Sequence, residues 1–454
     1  MKELNKKYLD KLQELITRGS DDALSEQLST LHPTDIAEVL NQLKPENILK
    51  AYKLLSDELK SEVLVDLHDE IRDGILRTLT SKEIAEDVIE GLESDDAADV
   101  VGDLSDEKLK EVMSHVKDEE TKSDVLDLLT YEEGTAGALM GKELVQVEET
   151  WTVTQAIKEM RIQAEDIHNV YTIYVVDTNG LLTGRLSLQR LLLTATSTRN
   201  LVGELKTDSD LVFAKDTDTE EVVAGYMEKY DLIALPVVDA EGILVGRITI
   251  DDAIDVIIEE AEKDYQLASG ITEDVESHDS TFTLTRARLP WLLIGLIGGI
   301  GGAYVIKWFN LSDNITPLVL FIPLIAAMGG NVGVQSSAIV VQGLATSSIN
   351  TTNIISRLTK ELGVGLLNGV ICAVIIFIIT YLLSFGMELS IIVGLSLLCV
   401  IVFAALFGTL VPLVLEKRNI DPALATGPFI TTANDIIGLI IYFSIGSFIS
   451  DIMG

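Results

Sequence analysis

The chain has 454 residues, a net charge of -37 at pH 7 and 47% hydrophobic residues. Acidity on this scale argues against nucleic acid or an anionic membrane surface as a partner of the soluble part, because phosphate groups would repel it. Cys372 and Cys399 are the only cysteines, which excludes a disulfide scaffold and a cysteine metal site.

The charge divides the chain into two parts. Residues 289–454 contain five basic and seven acidic side chains, so nearly the whole net charge lies in residues 1–288. We expect this acidic part to attract metal cations. A solvated acidic surface that only maintains solubility is the alternative for many of its individual carboxylates.

Helical repeats open the chain. Residues 31–40, 79–88 and 92–101 each begin with Leu, continue with Ser, Thr or Pro and an acidic turn, and then place apolar residues at helical spacing. Short repeated helices of this kind stack on one another. The pattern predicts an acidic, all-α superhelical domain over residues 1–135.

From about Gly141 the pattern changes to strands. Residues 171–177 and 234–239 are β-branched runs, and each leads into an Asn-Gly or Glu-Gly turn, a second strand and a helix. The two copies resemble a tandem of cystathionine-β-synthase (CBS) modules. We place them at residues 136–199 and 200–261, followed by a connecting helix over residues 262–288.

Five apolar segments reach the roughly 20 residues that a helix needs to cross a bilayer. Their approximate ranges are 290–309, 317–345, 362–385, 390–415 and 422–450. Residues 289–454 are therefore predicted to be a five-helix transmembrane domain. The predicted fold class is multidomain, α and α+β: a helical N-terminal domain, two βα modules, a connecting helix and the membrane domain.

Basic residues predict the orientation of the spans. They flank the first span and occupy the second and fourth connections, as Arg286, Arg288, Arg357, Lys360, Lys417 and Arg418. The positive-inside rule then places the large N-terminal part in the cytoplasm and the short C-terminus outside. We expect a multi-pass protein of the cell membrane, in contact with lipid.

One carboxylate lies deep in the last span. Asp435 is part of the run Thr431-Thr432-Ala433-Asn434-Asp435, and a charge at this depth costs roughly 2.5 to 3.5 kcal/mol on the insertion scale. Such a group is expected to face a partner or a watery path. The residue therefore favours a cation conductor, with a structural pair to a polar neighbour as the alternative.

The second and fifth spans carry the most specific motifs. Pro323 is followed by Gly329-Gly330-Asn331-x-Gly333-x-Gln335, and Asp421-Pro422 precede the last span with its Asn434-Asp435. Together with the acidic helices and the CBS pair, these motifs resemble an MgtE-type magnesium channel from end to end. The resemblance implies a non-enzymatic homodimer with Mg²⁺ as its transported ion and the pore on the two-fold axis.

The pore residues suit a hydrated magnesium ion. Mg²⁺ binds oxygen in strict octahedral geometry and releases water reluctantly, so carboxylate, amide and backbone oxygens can grip it through its waters. The expected pore residues are Asp435, Asn331, Gly330, Asn434, Thr431, Thr432 and Ala433. Close helix packing is the alternative for Gly333 and Gly343, and an interhelical hydrogen bond is the alternative for Asn331 and Gln335.

The resemblance also implies regulation by cytoplasmic Mg²⁺. The ion would bind between acids of the helical domain, the second CBS module and the connecting helix, and would hold the channel shut. The candidate regulatory residues are Asp95, Asp96, Asp99, Asp218, Glu220, Asp231, Asp252, Asp255, Glu259 and Glu260. Asp252, Asp255 and Glu259 share one helix face, which is unfavourable without cations.

A nucleotide is an open alternative at the CBS pair. The second module keeps Thr249 and Asp252, the residue types that hold a ribose in CBS clefts. The first module has Ser187 and Arg190 where the acid would lie. ATP binding is thus not implied by the motifs.

Three other functions compete with that of a magnesium channel. A metal-dependent enzyme is disfavoured because the five histidines are scattered without metal-ligand spacing. A membrane-anchored metal sensor without transport has no use for polar residues inside its spans. A sodium- or proton-coupled divalent-cation exchanger stays open, because the sequence shows no coupling ion.

Overall fold

In a computed structural model of the chain, the structure describes residues 11–12, 14–16, 18, 20–102, 104–164, 167, 169–194, 199–208, 211–272, 275, 280–309, 316–345, 354–425 and 427–453. They belong to two compact units, residues 1–258 and 259–454.

The N-terminal domain is helical. Its described part contains nine helices of seven to ten residues: α1 (Asp21–Leu28), α2 (Pro33–Asn41), α3 (Pro45–Tyr52), α4 (Asp57–Val65), α5 (Asp69–Thr78), α6 (Ser81–Asp87), α7 (Ser94–Gly102), α8 (Asp106–His115) and α9 (Glu119–Leu128).

The starts of these helices follow the predicted pattern. Pro33 and Pro45 occupy first-turn positions, where a missing backbone N–H has no cost. Thr80 and Glu83 form a capping box: the Thr80 hydroxyl accepts from the Glu83 backbone N–H at 3.2 Å, and the Glu83 carboxylate accepts from Thr80 N–H at 2.8 Å. Acids in the first turns also complement the helix dipoles.

The first CBS module has a three-stranded sheet. The elements are α10 (Ala136–Leu139), β1 (Val145–Glu148), α11 (Val153–Gln163), β2 (Ile173–Val176) and β3 (Leu182–Leu186). β1 pairs with β2 in parallel, and β2 pairs with β3 antiparallel. The predicted Asn-Gly turn is present: Gly180 has φ +84° and Asp177 accepts from the backbone N–H groups of Asn179 and Leu181.

The second module repeats this topology. Its elements are α12 (Val202–Leu205), β4 (Ala214–Lys215), α13 (Glu220–Tyr230), β5 (Ala234–Val238), β6 (Leu244–Thr249) and α14 (Ile250–Ala268). β4 and β5 are parallel, and β5 and β6 are antiparallel. In each module, the segment that precedes the first strand borders the sheet of the other module. The pairs are Gly141–Arg247 and Thr207–Arg185.

One hydrophobic core joins the N-terminal domain to the second module. Leu64, Ile84 and Val101 of the helices belong to the same buried cluster as Leu235 and Ile248 of the sheet. The first module has a separate core around Val147 and Val175. The N-terminal domain and the second module therefore share an apolar core in this arrangement, and charged groups between them lie at short range.

The predicted connecting helix, residues 262–288, is divided between two helices. α14 ends at Ala268, where Gly270 adopts φ +82° and Ile271 N–H donates to the Gln266 carbonyl at 2.9 Å. A left-handed glycine ends a helix in this way. Residues 281–288 form the beginning of α15 (Thr281–Trp308), which continues as the first span. Residues 273, 274 and 276–279 lie outside the described part.

The second unit contains five helices long and apolar enough to cross a membrane. They are α15, α16 (Ile322–Ala345, preceded by the 3₁₀ turn Thr316–Phe321), α17 (Ile354–Leu382), α18 (Met387–Glu416) and α19 (Pro428–Met453, preceded by the 3₁₀ turn Pro422–Ala425). Together with the helical N-terminal domain and the CBS pair, these helices confirm the predicted fold class.

Glycines allow the spans to approach closely. A Cβ on Gly408 of α18 would lie 2.3 Å from the Gly333 carbonyl oxygen of α16, and one on Gly298 of α15 would lie 2.1 Å from the Thr432 side chain of α19. The backbones of two helices can come this close only where a residue has no side chain. The packing alternative for Gly333 therefore has direct geometric support.

We expect Gly408→Ala to destabilise the membrane unit by about 1 to 3 kcal/mol, because the added methyl group must displace the α16 backbone. Gly363→Ala on α17 is the matched control, since a Cβ there meets nothing within 4 Å. Thermal unfolding of the two variants in detergent measures the difference. Equal melting temperatures would contradict close packing at Gly408.

Candidate functional site

Asn434 ties the last span to the glycine segment of the second span. Its side chain is 1% exposed, and its Nδ2 donates to the Gly329 carbonyl at 3.3 Å. Gly333 faces the same amide, and Gly330 lies against the Thr431 side chain. The two polar motifs of the sequence are therefore adjacent in the fold.

Asp435 and Asn331 point elsewhere. Asn331 is exposed on the single chain, and Asp435 is partly exposed. Among the described residues, none donates a hydrogen bond to Asp435 and none forms an ion pair with it. The structural-pair alternative thus gains no support, and the carboxylate is available to an ion at the surface of the chain.

The other predicted pore residues have internal contacts. The Thr431 hydroxyl donates to the Gly427 carbonyl at 3.0 Å, and Thr432 packs against Gly298. Ala433 is partly exposed beside Asn434. Backbone oxygens and the Asp435 carboxylate are then the groups of this helix that suit a hydrated cation.

In the first unit, acids of the helical domain meet acids of the CBS modules. Glu93 and Asp95, at the start of α7, and Glu143, before β1, each place one carboxylate oxygen within 4.8 Å of the others. We call these three residues, with Asp96 and Asp252, the acidic cluster. Such a set of oxygens is suitable for a divalent cation.

Hydrogen bonds fix the borders of the acidic cluster. Ser94 donates from its backbone N–H and its hydroxyl to Glu143, at 2.8 and 3.0 Å. Arg247 of β6, 4% exposed, forms an ion pair with Glu93 at 2.8 Å, and its Nε donates to the Glu143 carbonyl. Asp95 lies against Gly141, where a Cβ would come within 2.9 Å of its Oδ2.

The electrostatics of the cluster favour bound protons or cations. Burial, and then the Asp252 carboxylate, raise the pKa of Asp95 well above its usual value. The same two causes raise the pKa of Asp96 to about 7. Burial also raises the pKa of Asp252, although Thr249 donates to its carboxylate from N–H at 2.8 Å and from its hydroxyl at 2.5 Å. A cation between these groups would remove the repulsion.

The remaining predicted regulatory acids are distributed more widely. Asp99 interacts with Asp96 from the same helix. Asp255 lies near Asp66 of the helical domain; burial first, then Asp251 and Asp66, raise the pKa of Asp255. Glu259 and Glu260 follow on the exposed surface of α14.

Three predicted acids have local contacts. Asp218 accepts from the Lys215 backbone N–H at 2.9 Å. Glu220 begins α13 and donates its N–H to the Gly134 carbonyl. Asp231 ends the same helix with φ +50°. Each of these residues has a position in a turn or a helix end.

Sequence reasoning missed four acids. Glu93 and Glu143 complete the acidic cluster, but they are fifty positions apart and follow no common spacing. In the second unit, Asp264 near the end of α14 lies close to Asp421, and burial followed by this neighbour raises the pKa of Asp264. Asp421 was noted only as part of the motif Asp421-Pro422.

The CBS cleft beside Arg247 is narrow. Tyr171, Tyr174 and Arg247 border a cavity of about 10 Å³, the space of roughly one water molecule. The Asp252 carboxylate, predicted to hold a ribose, is bonded to Thr249 and faces Asp95 and Asp96. This motif therefore contributes an acid to the cluster, and ATP binding stays an open alternative.

Comparisons with known proteins cover every domain. Residues 31–134 match the family described as MgtE intracellular N domain, residues 136–195 and 202–259 match the CBS domain, and residues 322–445 match the MgtE divalent cation transporter family.

Curated relatives extend this match. The chain is 36% identical to the magnesium transporter MgtE of Thermus thermophilus over 72% of both chains, and 32% identical to that of Bacillus subtilis over 70% of both.

A solved structure matches the soluble part. The crystal structure of the cytosolic domain of the Mg²⁺ channel MgtE in complex with ATP is 35% identical, with a TM-score of 0.50 over 55% of this chain and 99% of that one. Magnesium transporters are not enzymes. By its domains and relatives, this chain belongs to the MgtE family of divalent cation transporters.

Proposed function

We propose that the protein is a Mg²⁺-selective channel that imports the ion down its electrochemical gradient and is closed by cytoplasmic Mg²⁺. The proposed closure by Mg²⁺ rests on the acidic cluster. There, Asp95 and Asp96 of the helical domain lie close to Asp252 of the second CBS module. Opposed carboxylates of two domains form a switch that a divalent cation can close.

The conduction path runs along α16 and α19. Gly329, Gly330 and Gly333 bring these helices together, and the partly exposed Asp435 follows Asn434 at this contact. An ion that keeps its waters needs such acceptors and a negative charge at a constriction, but no cage of many carboxylates.

A homodimer completes the path. Asn331 is exposed on the single chain and Asp435 is partly exposed, so a two-fold partner would bring a second set of both residues to one axis. In the soluble unit, Ile254, Ile257 and Ile258 form an exposed apolar face of α14, each more than 40% exposed. A second copy of the chain would cover such a face.

Direction follows from orientation and membrane potential. The basic residues that precede the first span and lie in the second and fourth connections support a cytoplasmic N-terminus and a C-terminus outside. A potential that is negative inside contributes about 2.3 kcal/mol per charge per 100 mV, and twice that for a divalent ion. Import of Mg²⁺ then needs no coupling ion.

Asp435→Asn should lower Mg²⁺ flux at least about tenfold, because it keeps the shape of the side chain and removes the charge that attracts the ion. Asp451→Asn, an exposed acid at the end of the same helix, is the control and should conduct normally. Flux into liposomes, followed with an entrapped Mg²⁺ indicator, is the measurement. Normal flux through Asp435→Asn would refute the pore assignment.

The double variant Asp95→Asn/Asp252→Asn should conduct but no longer close at high internal Mg²⁺, because the groups that draw the two domains together have lost their charge. Asp106→Asn, an exposed first-turn acid of α8, is the matched control. Patch-clamp current against internal Mg²⁺ tests both. A double variant that closes like the wild type would contradict the sensor role of the acidic cluster.

Protons should compete with Mg²⁺ for the acidic cluster. The raised pKa values mean that the metal-free cluster binds protons near pH 7, the value about which Asp96 titrates. Metal ligands must be deprotonated. Lowering the pH from 8 to 6 should therefore raise the Kd of the docked cluster for Mg²⁺, measured by isothermal titration calorimetry, by up to about tenfold per pH unit for each displaced proton.

On the contact between domains, protons should act in the same direction as Mg²⁺. A carboxylate whose pKa is raised in the docked state stabilises docking when protonated, and this stabilisation is lost as the pH rises through the raised pKa. Metal-free protein should thus be more resistant to limited proteolysis at pH 6 than at pH 8, and Mg²⁺ should abolish the difference. Protection that is independent of pH, or greater at pH 8, would contradict this mechanism.

A further inference from the structure

A second carboxylate contacts the helix that carries the glycine segment. The Ser336 hydroxyl of α16 donates to Glu361 Oε1 of α17 at 2.6 Å, and Ser336 is 5% exposed. Hydrogen bonds of hydroxyl groups to ionised acceptors are short and stronger than neutral ones. The bond joins the second span to the third span within the membrane unit.

Glu361 lacks an ionic partner in the described part of the unit. Arg357 lies one turn earlier on the same helix and forms no ion pair with it there, and its Nε is buried without a hydrogen-bond partner. The neighbouring Lys360 is exposed. The Ser336 hydroxyl is thus the group that orients the Glu361 carboxylate.

The third span is held firmly from its other side. A Cβ on Gly365 of α17 would lie 3.2 Å from Ala405, and one on Gly369 would lie 2.7 Å from the Leu398 side chain, both on α18. Glu361 therefore extends from a helix whose position is fixed by close packing. Such a helix can serve as an anchor for its neighbour.

Two side-chain hydrogen bonds then enclose the glycine segment. Asn434 binds the Gly329 carbonyl at one end, and Glu361 binds Ser336 at the other. The segment between them is about two helical turns long and contains Gly330, Asn331 and Gly333. Its glycines pack closely against α18 and α19, and the two hydrogen bonds add a directional constraint on its rotation and translation.

We propose that Glu361 is a positioning residue of the ion path, which acts through the Ser336 hydroxyl to fix the second span, and with it Asn331 and the Gly330 carbonyl. This inference rests on the proposed conduction along α16. In this role, the Glu361 side chain acts as a hydrogen-bond acceptor and does not bind an ion. A displaced segment would alter the distances at which a hydrated ion is recognised, so selectivity depends on this bond.

The experiment compares full-length variants in liposomes, with Mg²⁺ and Ca²⁺ fluxes measured separately. Glu361→Ala and Ser336→Ala should each change the ratio of the two fluxes by about tenfold, the effect of one lost charge-assisted hydrogen bond. Glu361→Gln should stay within about twofold of the wild type, because its side-chain carbonyl still accepts from Ser336. Lys360→Gln is the matched control.

A double variant tests whether the two residues act as one unit. Ser336→Ala/Glu361→Ala should be no worse than the more severe single variant, as expected for partners in one interaction. Ser336→Ala removes a single oxygen, so it keeps the proposal falsifiable if Glu361→Ala fails to fold. Melting temperatures and size-exclusion profiles identify such a failure.

Three results would overturn the inference. The first is an unchanged flux ratio in Ser336→Ala. The second is a Glu361→Gln variant as defective as Glu361→Ala beside a normal Ser336→Ala, which would assign the role to the charge. The third is additive effects in the double variant. A wild-type protein without Mg²⁺ flux would instead contradict the proposed function itself.

Discussion

The cost of removing carboxylates from water is the constraint that both parts of this protein share. In the first unit, burial raises the pKa values of Asp95, Asp96 and Asp252, and the nearby Asp252 carboxylate raises those of Asp95 and Asp96 further. In the membrane unit, Asp435 has no partner among the described residues. Each arrangement has an unfavourable energy that a divalent cation would remove. Under the proposed function, the same ion is transported at Asp435 and regulates transport at the acidic cluster.

Local chemistry made much of the soluble fold predictable. The Asn-Gly and Glu-Gly turns, the β-branched strands and the acidic first turns all act within a few residues, and the structure has them where the sequence indicated. The sequence did not predict which acids form the acidic cluster. Glu93 and Glu143 meet only because the helical domain shares a core with the second CBS module. By contrast, Asp218 and Asp231 were also predicted as regulatory residues, but they lie in a turn and at a helix end.

The membrane unit shows where hydropathy is informative and where it is not. Apolar runs located all five spans, but α17 begins at Ile354, eight positions before the predicted edge, because helical hydrogen bonds continue beyond the apolar region. The predicted connecting helix is interrupted at Gly270. The positive φ of this residue could not be predicted from the polar sequence around it. Asn434 was expected in the pore, yet its amide is buried against Gly329. A polar residue inside a span can thus join two helices.

The basic side chains around the acidic cluster indicate which acids are left for a metal. Lys142 binds Asp127 at 2.7 Å and Arg247 binds Glu93 at 2.8 Å, so two carboxylates at the border are already neutralised. Glu143 is held by Ser94, and Asp252 by Thr249. Asp95 and Asp96 have the most strongly raised pKa values of the cluster, and Asp95 lies beside the Gly141 backbone with no side chain between them. Under the proposed function, Asp95 and Asp96 at the start of α7 would be the main protein ligands of a regulatory Mg²⁺. Few carboxylates would suffice, because Mg²⁺ releases its water reluctantly.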